Sequence, residues 1–105
     1  MLVVTTPTVE VMPVKQYIGM VSGETIAGVN MFKDFAAGLS NMFGGRASSY
    51  ENEIANASRT AVNELCVRAQ SMGANAVVGV HVDYFTAGAD NGMLAAIATG
   101  TAVVL

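Results

Sequence analysis

An α+β fold of two layers, a small antiparallel sheet packed on helices, is what this chain of 105 residues predicts. Three observations carry that prediction. Segments rich in β-branched residues lie at both ends. Two stretches of helical periodicity lie between them. Glycine-containing stops separate the parts, at Gly44-Gly45, Gly73 and Asn91-Gly92. Strand, strand, helix, helix, strand, strand is the order of one sheet with its helices on one face. The length suits one domain over residues 1–105.

The first strand is "LVVTT", Leu2 to Thr6, limited by Pro7. The second is "KQYIGMVSGETI", Lys15 to Ile26, in which Gly19 and Gly23 predict a bend, a bulge or a close backbone approach. In the first helix, Asn30 is the N-cap. Met31, Phe35, Leu39 and Met42 repeat at spacings of four and three, widened by Phe32 and Phe43. The second helix opens at Ser48, with Glu51 at capping-box spacing. Its stripe is Ile54, Ala57, Ala61, Leu65, Ala69 and Met72, and Gly73 stands where a left-handed C-terminal glycine belongs. Alanine in that stripe lets the helix lie close to a sheet.

The third strand is "NAVVGVHVDYFTA". Strict alternation places Val78, Val80, Val82 and Tyr84 on one face and Val77, Gly79, His81 and Asp83 on the other. Asn91-Gly92 marks a hairpin turn. The last strand, Met93 to Leu105, is apolar on both faces, so a second layer is expected to cover it.

Composition extends the same expectation. The chain is 52% hydrophobic and 12% charged, about half the charge of an ordinary soluble domain, roughly 25%. Its mean hydropathy is +0.48. A membrane helix needs about 20 consecutive apolar residues, and "MLAAIATGTAVVL" is too short and too polar at its centre. The start "MLVVTTPTVEV" has no basic flank and no long apolar run, so it is not read as a signal peptide. Other subunits are therefore the expected cover, which predicts a homo-oligomer. Net charge is -3, with five scattered basic residues, and nothing resembles a phosphate-tracking patch for nucleic acid. One cysteine and no export signal point to the cytoplasm.

"TTPT", "YIGMVSGE", "GVNMFKDFAAG", "GGRASSYENE", "MGANAVVGVHVDY" and the ending "GTAVVL" together resemble the YbjQ-like family over nearly the whole chain. The resemblance implies a dodecin-like subunit fold, assembly into a ring that is commonly a pentamer, and a heavy-metal-binding label without a defined ligand set. It places Asp83 and Tyr84 inside the shared motif and His81 at a variable position.

Two places could carry chemistry. The only histidine, His81, lies two residues before Asp83, so both point to the same side of a strand. Imidazole and carboxylate suit zinc, copper or nickel. A ring could add a donor from a neighbour; the plain alternative is a solvated, hydrogen-bonded strand face. In "GGRASSYENE", Arg46 can hold a carboxylate or phosphate in two-point contact. Tyr50 adds an aromatic hydroxyl, and Glu51 and Glu53 add acceptors at a helix N-terminus. The alternative there is a helix-helix turn in which Arg46 pairs with an acid across an interface. Cys66, on the flank of the helix stripe, reads as a small buried hydrophobe. The seven methionines read as core packing.

The expected function is a non-enzymatic ring that binds a divalent transition metal. An organic-ligand or cofactor carrier and a protein-interaction scaffold are the rival readings. No serine-histidine-aspartate arrangement or phosphate loop supports an enzyme.

Overall fold

The computed structural model describes residues 1–27, 48–87 and 93–105, with side chains described over 1–26, 54–86 and 94–105. The predicted first helix (30–43), the Asn91-Gly92 turn and Arg46 lie outside the described residues. What is described is α+β: one helix packed on a four-stranded sheet. The strands are β1 (Leu2–Val3), β2 (Gln16–Ala27), β3 (Ala76–Ala87) and β4 (Met93–Val104), and the helix α1 is Ser48–Ser71.

The sheet order is β1-β3-β4-β2. β4 pairs antiparallel with β2 and with β3, but β1 runs parallel to β3. The sheet is therefore mixed rather than wholly antiparallel. β1 is also shorter than the predicted Leu2–Thr6, although its backbone continues to bond β3: Val4 N–H donates to Val77 O at 3.0 Å and Gly79 N–H to Thr6 O at 2.8 Å.

Helix α1 ends as its glycine predicts. Gly73 has φ +92°, its N–H donates to Gln70 O at 3.0 Å, and Ala74 N–H donates to Ala69 O at 3.1 Å. These are the two bonds of a Schellman motif, and they satisfy carbonyls that the helix end would otherwise leave open. Ala57, Ala61, Leu65 and Ala69 are buried, and Cys66 and Val62 pack partly buried beside them. Met72 is an exception to the predicted stripe: it lies past the helix end and is exposed.

The helix meets the sheet over small residues. Val21, Ala96, Ala98, Ala102, Val77 and Val80 form one core cluster with the helix alanines and Leu65. At Gly23 the backbones touch. A β-carbon there would overlap the Ala61 carbonyl oxygen and the Leu65 amide and stand 2.9 Å from Leu65 Cα. Gly19 lies at a bulge in β2, where the register with β4 shifts between Tyr17 and Gly19. Both glycines thus do what their positions in the strand predict.

A second bulge corrects the predicted faces of β3. Val78 pairs with Thr101 and His81 with Thr99, so Gly79 and Val80 together oppose Gly100 alone. Gly79 takes φ +62°, a left-handed conformation that suits glycine. One extra residue reverses the alternation. Val77, Val80 and Val82 all pack against the helix-side core. Ala76 and Val78 face the other way, in a second cluster with Val103. Val78 therefore does not share a face with Val80 and Val82, nor Val77 with His81 and Asp83.

Candidate functional site

The register assigns every residue on the side of the sheet away from the helix. From one end, Tyr17 is opposite Val103 and Ala76, and Met20 is opposite Thr101 and Val78. Ser22 is then opposite Thr99 and His81, Glu24 opposite Ile97 and Asp83, and Ile26 opposite Ala95 and Phe85. The first end of this outer face is covered over β3 and β4, although Tyr17 on β2 is exposed. Val4, Val9, Val14 and Leu105 pack over Ala76, Val78 and Val103. Among the described residues the other end is more open: Met20 is 83% exposed and Ile26 63%, and Phe85 is exposed as well, although Ala95 between the last two is buried.

His81 and Asp83 stand in the middle of the open part. Because the bulge precedes both, they remain two apart on one uninterrupted strand and share its outer side. His81 Nε2 is 2.9 Å from Asp83 Oδ1, with the side chains 71% and 65% exposed. With Nε2 protonated, the imidazole donates that bond to the carboxylate. A divalent cation would take the place of the shared proton and use the same two atoms as ligands. Nitrogen and carboxylate oxygen suit zinc, nickel and copper(II). The described residues hold no group of three histidine, cysteine or acidic side chains. One chain therefore presents two donors of the usual four. The fit to a metal is good in donor type and incomplete in number.

Glu24, in the row of Asp83, is already engaged. Arg68 of α1 grips it at two points, Nη2 to Oε1 at 2.8 Å and Nη1 to Oε2 at 3.0 Å. Nη1 also donates to the backbone carbonyl of Ser22 at 3.0 Å, and Nε lies 3.6 Å from Glu64 Oε1 one helical turn earlier. The two guanidinium hydrogen bonds hold the Glu24 carboxyl below its ordinary range, partly offset by desolvation and reinforced by the charge of Arg68. Glu24 raises the Arg68 pKa in turn, chiefly through the same hydrogen bonds. This clamp ties the helix to the outermost strand beside the Gly23 contact and withdraws one carboxylate from the open face.

Of the other predicted site residues, Tyr50, Glu51 and Glu53 fall in the first turns of α1, and their side chains lie outside the described residues, as does Arg46. Cys66 is half-buried against the helix-side core, on the opposite layer from His81. The clamp and the bulge were not read from sequence. Glycine within "VVGV" and within "ATGTA" was the available signal for the bulge.

A family model described as "Putative heavy-metal-binding" matches residues 1–105. The chain is 56% identical over 102 residues to a UPF0145 protein of Bifidobacterium longum (strain DJO10A), covering 97% of this chain and 93% of that one. It is 55% identical over 103 residues to a UPF0145 protein of Clostridium botulinum (strain Alaska E43 / Type E3), covering 98% and 97%. It is 51% identical over 105 residues to a UPF0145 protein of Listeria monocytogenes serotype 4a (strain HCC23), covering 100% and 96%. Among solved structures, a protein of unknown function from Pediococcus pentosaceus ATCC 25745, assigned to the DUF74 family, superposes with TM-score 0.66 at 10% identity, covering 100% of this chain and 97% of that one. That likeness concerns the fold.

Proposed function

This chain belongs to the YbjQ family, and on that premise we propose that it is a non-enzymatic, self-associating module that binds a divalent transition metal on the outer face of its sheet. The observation that carries the proposal is the His81–Asp83 pair, 2.9 Å apart and exposed on a face that also carries Met20, Ile26 and Phe85. Nitrogen and oxygen donors select zinc, nickel or copper(II) over thiophilic ions. Cys66 supports this choice, because it packs into the opposite layer and offers the pair no sulfur.

Self-association is supported by the sparse charge of the chain and by exposed Met20, Ile26 and Phe85 on one surface. The resemblance carries the further reading of a pentameric ring in the cytoplasm. Isothermal titration of the demetallated protein with zinc, nickel and copper(II) ions tests the metal. Saturable binding that His81→Ala removes is expected. Binding no tighter than about millimolar for all three ions would sink it.

A further inference from the structure

We infer that the metal site is completed by a second copy of the chain, docked face to face on the open part of the outer sheet, with His81 and Asp83 of each copy as the four ligands. The inference rests on the metal reading above and adds the partner, the ligand count and the consequence for assembly.

Two donors leave a tetrahedral ion half-liganded by protein, and the described residues offer no third. Glu24, in the nearest row, is held by Arg68. Donors of the same chemistry on a second copy would complete the site. An isologous contact supplies them, because a two-fold axis brings the same patch of each copy together. The patch is self-complementary in charge. Near the axis, His81 of one copy meets Asp83 of the other and attraction replaces like-charge contact. Opposed sheets pack about 10 Å apart, so side chains of the two inner faces meet midway. Met20 on one flank and Ile26 and Phe85 on the other would be buried around the polar centre, an arrangement that excludes water from the ion.

The size of the patch decides whether pairing needs the metal. Four rows of three strands cover roughly 25 by 14 Å at ordinary strand spacings. Two such faces bury about 700 Å², below the roughly 1,000 Å² that a stable protein contact requires. The sheet faces alone therefore hold copies together only weakly, and the shared ion holds them firmly. Since the contact joins copies two by two, metal doubles the mass of a chain whose outer face is free.

Sedimentation equilibrium with and without zinc, beside calorimetric stoichiometry, tests this on the full chain. The expected result is a doubled mass and one zinc per two chains. His81→Ala abolishes both. Ile26→Lys, which leaves the ligands in place but charges the flank, prevents the doubling, whereas Val67→Lys on the exposed side of the helix does not. One zinc per chain with unchanged mass would overturn the shared site while leaving the metal reading intact. Absence of zinc, nickel and copper binding would overturn both. Doubling that persists in Ile26→Lys would overturn the face-to-face contact.

Discussion

The two faces of this sheet are built from the same three long strands and differ in almost every physical respect. Toward the helix stand Val21, Gly23, Val77, Val80, Val82, Ala96, Ala98 and Ala102, small or β-branched and packed under Ala61 and Leu65. Away from it stand Met20, Ser22, Glu24, Ile26, His81, Asp83 and Phe85, mostly exposed and mixed in character. Among the described residues none of the buried ones is polar or charged, and the polar residues of the first face, Thr25, Tyr84 and Thr86, stand outside its buried part. The second face keeps large apolar groups in water, along with the only histidine. Stability is concentrated on one side and chemistry on the other, and the bulge at Gly79 decides which side His81 and Asp83 join.

The largest effects should follow changes on the helix side. Leu65→Ala removes a fully buried side chain and should cost about 3 kcal/mol in urea unfolding. Gly23→Ala should cost about 2 kcal/mol, because its methyl group meets helix backbone, which cannot swing aside. A Leu65→Ala loss below that of an exposed substitution would refute the packing described for that layer. Gly79→Ala sharpens the comparison differently. A β-carbon there meets nothing within 4 Å, so only the positive φ opposes it, at about 1–2 kcal/mol. A neutral result at Gly79 would place His81 and Asp83 in doubt, since they owe their face to that conformation.

The Glu24–Arg68 clamp gives an acid-dependent contribution. The folded carboxyl titrates below its ordinary value of 4.5, held down first by the Arg68 hydrogen bonds. Its stabilisation is therefore complete above the unfolded pKa and is lost as pH falls through the lowered folded value. Urea midpoints measured downward from pH 6 should fall less steeply in Glu24→Gln than in the natural chain; identical slopes would show that the clamp adds nothing in solution. The smallest effect is expected on the open face. Met20→Ser should change the unfolding free energy of the dissociated chain by no more than about 0.5 kcal/mol, while weakening metal-dependent pairing in sedimentation.

Much of the helix side was legible in the sequence. Ala57, Ala61, Leu65 and Ala69 follow the helical period, Gly73 ends the helix as a left-handed glycine, and Gly19 and Gly23 mark a bulge and a close contact. The faces of β3 were not legible, because period-two alternation assumes an uninterrupted strand. Gly79 interrupts it while sitting in an otherwise ideal run of valines. The parallel pairing of β1 was also hidden, since two residues carry too little pattern to orient a strand. At the candidate site, the i, i+2 spacing of His81 and Asp83 was sufficient to bring them together. Phe85 follows Asp83 at the same spacing, whereas register alone revealed Met20 and Ile26 on this face, from a distant part of the chain.

Because His81 is the only histidine, its imidazole gives a single set of ring resonances, and these test the central claim without ambiguity. Zinc added to isotope-labelled, demetallated protein should shift the His81 Nε2 and ring-proton signals strongly, while the methyl signals of Leu65 beneath the helix stay in place. Ring signals that remain unmoved while zinc binds would contradict the account and move the metal away from the open face of the sheet.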